Sequence, residues 1–183
     1  MLSNLFGKKD TTESTAIFKD KVYLHSTGKI VACLQLAKAN PDCIFIAWFD
    51  ETAAIFVKFF NQYGFDEKRI LLANDMDRTL LQNHHPVFIE HYPLNAKELA
   101  LVADWQLTGI PVFSAMDEPL FKHFGSDKMV PLIKLLGFKE SDAIEHSYVT
   151  ESIVKGQNKI AAKVLVEQPT HSQAAWMAQN MKE

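Results

Sequence analysis

Two aspartates one residue apart, following a short apolar run, are the pair best placed to do covalent chemistry. Asp75-Met76-Asp77-Arg78-Thr79-Leu80 comes after Arg69 to Ala73. In such a pattern one carboxylate can attack phosphorus while the other moves protons beside Mg²⁺. The set needs further members: a Ser or Thr at a later strand end, a lysine and another acid, for which Ser114, Lys122 or Lys128, and Asp127 are candidates. A polar Asn-Asp turn capping the next helix accounts for the same residues. Ser26-Thr27-Gly28-Lys29-Ile30 carries a Gly-Lys pair but lacks both the upstream glycine and the hydroxyl residue after lysine that a phosphate-cradling loop requires; it reads as a helix start. His84-His85-Pro86 has no third metal ligand at helpful spacing and reads as a solvated loop. Asp117-Glu118-Pro119 could hold a cation, but helix capping by Asp117 with Pro119 in the first turn is simpler. Glu145-His146 could form an acid-base pair or a polar contact.

The elements that would position these residues follow from periodicity. Lys21 to His25 reads as a strand, followed by a helix capped by Ser26, with Ile30, Cys33, Leu34 and Ala37 on one face, and stopped at Asn40-Pro41. The apolar run Cys43 to Phe49 is of the kind buried on both faces of a parallel sheet. Asp50 caps the next helix, with Ala53, Phe56, Val57 and Phe60 inward and Gly64 at its end. Strands are expected at 69–73, 86–91 and 110–115, separated by helical segments near 76–83 and 95–106. Five strands joined by helical crossovers predict a doubly wound, mostly parallel α/β sheet with helices on both faces. After Ala115 the chain turns helical, with Asp117 and Ser126 as caps and Leu120, Phe121, Phe124, Met129, Leu132, Ile133 and Leu136 as apolar faces. A longer helix runs from Val149 to about Val166, Gln168-Pro169 breaks it, and a short helix with Trp176 closes the chain. The domains read as a flexible leader over 1–18, an α/β domain over 19–140 and a helical extension over 141–183.

With 183 residues, 48% of them hydrophobic, the chain can bury a core. Nineteen basic and 22 acidic residues give a net charge of −3, so nothing marks a nucleic-acid or anionic-membrane surface. Cys33 and Cys43 lie in apolar stretches without metal or redox spacing, and no apolar run reaches the roughly 18 residues of a membrane span. A cytoplasmic location without membrane insertion is the expectation.

The stretch from Gln106 to Lys159 resembles the SecA-type preprotein translocase ATPases, at the end of their second nucleotide-binding domain and the start of their scaffold helix. Gln106, Leu107 and Gly109 match a Gln-Leu-Arg-Gly segment; Leu120, Phe124, Gly125 and Ser126 match an acidic-Leu-x-x-x-Phe-Gly-Ser turn. Ile144, Glu145, His146, Val149, Thr150, Ser152, Ile153, Gln157 and Lys159 match the third segment. A looser likeness reaches back to about Lys21. The resemblance implies a RecA-like (Rossmann-like) domain, and Phe121, Phe124, Glu145, His146 and Gln157 become candidate contacts for a protein partner, such as a translocation motor or export component. The departures imply lost ATPase chemistry. Thr108 replaces the family's first arginine, Ile110-Pro111 stand where others would follow, and the Arg-Gly-Thr-Asp segment is absent. Arginines at those positions stabilise charge during phosphoryl transfer. The reading is a non-catalytic interaction or scaffold domain needing no cofactor. Two alternatives stand beside it: a Mg²⁺-dependent phosphatase of haloacid-dehalogenase type using Asp75 and Asp77, and a regulatory domain that binds nucleotide without hydrolysis.

Overall fold

Alternating apolar runs and amphipathic segments assemble into one parallel sheet wrapped by helices. The computed structural model describes residues 16–181. Strands β1 (Phe18–Tyr23), β2 (Cys43–Ala47), β3 (Ile70–Leu72), β4 (His85–Phe88) and β5 (Ile110–Ala115) lie in the order β1-β5-β4-β2-β3. Every pairing is parallel. Helices α1 (Ser26–Ala39) and α2 (Asp50–Gln62) follow β1 and β2, and α3 (Asn95–Val102) follows β4. Strand alternation sorts the core into two layers. Cys43, Phe45 and Ala47 of β2 join Val87, Phe113, Cys33, Ala37, Phe56 and Phe60 beneath α1 and α2. Ile46 and Phe88 face the opposite way, with Val112, Val102 and Trp105 under α3. The sheet is therefore doubly wound, as the sequence predicts.

Four further helices, α4 (Pro119–His123), α5 (Ser126–Leu135), α6 (Ser147–Ala161) and α7 (Gln173–Asn180), gather over a third cluster. Val22, Leu24, Phe49, Leu120, Ile153 and Ile160 surround Trp176, which is wholly buried. The extension is anchored at its start by an antiparallel bridge between Ile144 and Val22. Among the described residues no helix is long and apolar enough to cross a membrane.

Several boundaries differ from the sequence reading. Of the leader over 1–18, residues 1–15 lie outside the described residues, and Phe18 already opens β1. The helix expected near 76–83 is instead a pair of 3-10 turns, Ala73–Asp75 and Arg78–Gln82, the second without a buried residue. With Met76 and Leu81 only partly buried against the core, one tight turn is all that local hydrogen bonding supports. The long helix ends at Ala161, because the amides of Lys163 and Val164 both turn back to the Ile160 carbonyl. None of the four expected caps acts as one: Ser26, Asp50 and Ser126 are first helical residues, and Asp117 precedes the cap position at Glu118. On α5, Met129, Leu132 and Leu136 are exposed rather than packed.

Candidate functional site

In an open α/β sheet, ligands bind beyond the carboxyl ends of the strands, where successive connections diverge. Here β2 leads outward to β3 and β4 leads the other way to β5, so the divergence lies between β2 and β4. A cleft of about 160 Å³ opens at this end of the sheet, lined by Ser26 and Lys29 after β1, Glu51 and Thr52 after β2, Glu90 after β4, and Asp117 and Glu118 after β5.

Lys29, one turn into α1, is buried together with Glu90 and Glu118. Its ammonium donates to Glu118 Oε1 at 2.5 Å and to the Ile89 carbonyl at 2.7 Å. Glu118 also accepts from the Ala115 amide at 3.0 Å. Glu90 accepts from the amides of Trp48 and Phe49, just ahead of α2, at 2.9 and 3.0 Å and from the hydroxyl of Thr52 in its first turn at 2.7 Å. Burial pushes the Glu90 carboxyl up to about 7 despite the neighbouring ammonium. Burial likewise raises Glu118. Lys29 is displaced upward too: its burial favours the neutral amine, but Glu118, with Glu90 behind it, holds the proton. At the rim, Asp117 accepts from the Ser26 amide at 2.9 Å and from its hydroxyl at 2.7 Å.

A second buried network adjoins the first. His91 Nε2 lies 2.7 Å from Asp20 Oδ1, and its Nδ1 lies 2.9 Å from Glu98 Oε1. Burial opposes the imidazolium, yet Glu98 and Asp20 together hold its pKa well above the usual histidine range. Gln157 of α6 donates to Glu98 at 2.8 Å and to the Tyr92 carbonyl at 2.7 Å; Gln173 of α7 donates to the His91 carbonyl at 2.9 Å. This network ties α6 and α7 to the sheet.

The candidates singled out by sequence fall in different places. Asp75 and Asp77 are exposed beside the edge strand β3. The Thr79 amide donates to Asp77 at 2.8 Å and keeps its carboxyl below the usual range. Ser114 lies on β5, three strand spacings away, about 14 Å at ordinary sheet spacing. The geometry does not gather a phosphatase set around Asp75. His84 Nδ1 lies 3.0 Å from the Leu80 carbonyl. Among the described residues, no three of His, Cys, Asp and Glu cluster so as to hold a metal ion. Cys33 is buried and its thiol is pushed up to about 12, chiefly by burial.

Of the partner-contact candidates, Gln157 and Phe121 are buried within the chain, and Phe124 is half-buried. Gln157 is therefore bonded inward, where a partner does not reach. Glu145 pairs with Lys21 at 3.0 Å, and the ring of His146 caps α6 by accepting from the Tyr148 amide at 3.1 Å. Both are exposed. The Ile-Glu-His segment thus acts as the joint that seats α6 on β1. Glu90, His91, Asp20 and Glu98 escaped the sequence reading, and Lys29 and Glu118 were singled out separately but not as a pair. Their one legible sign was charge set inside apolar runs, as in Pro86 to His91.

No family model matches the chain. A segment of it is similar to protein translocase subunit SecA from several bacteria. That of Acidithiobacillus ferrooxidans is 43% identical over 51 residues, 28% of this chain and 6% of the relative. That of Ehrlichia canis is 37% identical over the same length. That of Chlorobium phaeovibrioides is 40% identical over 48 residues, 26% of this chain and 5% of the relative. The likeness spans about a twentieth of the relatives' length, so it marks a SecA-related segment on an α/β domain.

Proposed function

We propose that this chain is a non-catalytic, SecA-like protein-binding domain, accessory to protein export and a degenerate relative of a second RecA-like motor domain. The observation that carries the reading is the charge of the cleft at the carboxyl end of the sheet. Glu51, Glu90, Asp117 and Glu118 line it against the single cation Lys29, whose ammonium is already taken by Glu118. A nucleotide brings several negative charges; the Glu51 and Asp117 carboxylates repel them, and the Lys29 ammonium is already neutralised by Glu118. The absence of the arginines that serve phosphoryl transfer in the family supports the same conclusion, as do Thr108 and the Ile110-Pro111 pair in their place. The similarity of a segment to protein translocase subunit SecA, 43% over 51 residues, supports an export setting.

The test is calorimetric titration of the full chain with Mg²⁺-ADP and Mg²⁺-ATP, followed by phosphate release. Neither saturable heat nor released phosphate is expected. Saturable binding that disappears in Lys29→Met would restore the nucleotide-binding alternative, and hydrolysis of a phosphate monoester that disappears in Asp75→Asn would restore the phosphatase.

A further inference from the structure

An apolar groove of about 600 Å³ runs between α6 on one side and α4 and α5 on the other, floored by Val22, Met116 and Ile144. Its α6 wall extends from Tyr148 to Lys159. That is about 16 Å at helical rise, or three turns, the span over which a partner helix presents anchors at i, i+3, i+4 and i+7. Both walls carry large apolar side chains that the described residues leave uncovered: Tyr148 is 67% exposed and Met129 50%. From Met129 the apolar stripe continues along α5 through Leu132 to Leu136, the residue that closes the helix; they are 61% and 68% exposed. These three positions fall on one helix face. Tyr148 and Met129 in the lining, with Leu132 and Leu136 leading away from it, make a contiguous patch larger than the scattered singles normal to a surface.

Charge sets the kind of occupant. The chain as a whole is acidic, with 22 carboxylates against 19 basic side chains. The groove lining reverses that balance: it includes Lys155, Lys159 and His123 and no Asp or Glu. Lys155 has Glu151 at 3.7 Å, an exposed i,i+4 pair that salt and water screen. Lys159 stands at the far end of the same wall. We infer that the groove receives an amphipathic helix of a protein partner, apolar on its inner face and flanked by Glu or Asp. The inference rests on the protein-binding reading above and gives that partner its chemistry.

The test uses two labelled 18-residue helical peptides with leucines at i, i+3, i+4 and i+7, one flanked by glutamates and the other by lysines. Fluorescence anisotropy against the full chain should show the glutamate peptide binding about tenfold tighter at low salt, the preference shrinking as salt is raised. Lys155→Glu with Lys159→Glu should reverse the preference, and Tyr148→Asp, at an exposed site, should abolish binding of both. Equal affinity for the two peptides, or none for either, overturns the inference, as does retention of binding in Tyr148→Asp. Vesicles of anionic phospholipid that bind wild type but not Tyr148→Asp would assign the groove to lipid. A concentration-dependent dimer that Tyr148→Asp dissociates would assign it to a second copy. Failure of the peptides while a complete export motor still binds would sink the groove alone; failure of both would sink the protein-binding reading with it.

Discussion

Glu90 shows how a single residue couples this fold to pH. Its folded pKa of about 7 stands above the ordinary glutamate value of 4.5, so the folded chain holds a proton that the unfolded chain has released. The resulting stabilisation is complete below the unfolded value and is lost as pH rises through 7. The displacement corresponds to as much as about 3 kcal/mol. His91, also displaced upward, acts in the same direction: its stabilisation is present below the ordinary histidine range and lost as pH climbs through its raised value. The urea midpoint should therefore fall between pH 5.5 and 8. In Glu90→Gln, where the amide mimics the protonated carboxyl, the decline should be shallower. An unchanged slope would mean that Glu90 stays ionised in the fold.

At the scale of elements, close approach of backbone to backbone explains the Gly28-Lys29 pair that reads as a fragment of a phosphate loop. A Cβ at Gly28 would stand 2.1 Å from the Glu140 carbonyl oxygen. Gly156 meets the Phe124 ring instead, at 2.5 Å. Helix propensity alone makes alanine the better residue at either site by roughly 1 kcal/mol. Packing should reverse this at Gly28, where peptide backbone must move: Gly28→Ala is expected to cost about 2–3 kcal/mol. Gly156→Ala should cost less, because an aromatic side chain can shift. Denaturation of the two variants checks the order, and equal costs would show that the segment around Glu140 yields readily. The central strand was legible as an unbroken apolar run at Cys43 to Ala47, and α2 by the helical spacing of Phe56 and Phe60. The segment after β3 was misread because Met76, Leu80 and Leu81 imitate a helical face, yet they are only partly buried and sit on 3-10 turns. The polar cleft was not legible. Lys29, Glu90 and Glu118 lie far apart in sequence and meet only once the strand order is known.

For the whole molecule, the helical extension is an integral part of the core. Trp176 is wholly buried against Tyr92, and its indole donates to Glu167 at 2.9 Å. Gln157 and Gln173 fasten α6 and α7 to the carboxyl end of the sheet. Trp176→Ala should cost about 3–5 kcal/mol and lower the cooperative unfolding transition of the entire chain. Hydrogen exchange would contradict this if only α7 lost protection while the sheet kept its stability. If sheet and extension fold as one body around their shared cluster, the groove between α6 and α5 is preorganised. That is what a surface built to receive another protein needs.

The measurement that tests the central claim most directly is affinity capture of the tagged chain from native extract at low salt. Bound proteins would be quantified by mass spectrometry for wild type beside Tyr148→Asp. Enrichment of the translocation motor or its channel on wild type, and its loss on the variant, is the predicted result. Equal recovery of those proteins on wild type, on the variant and on an unrelated α/β control would contradict the account.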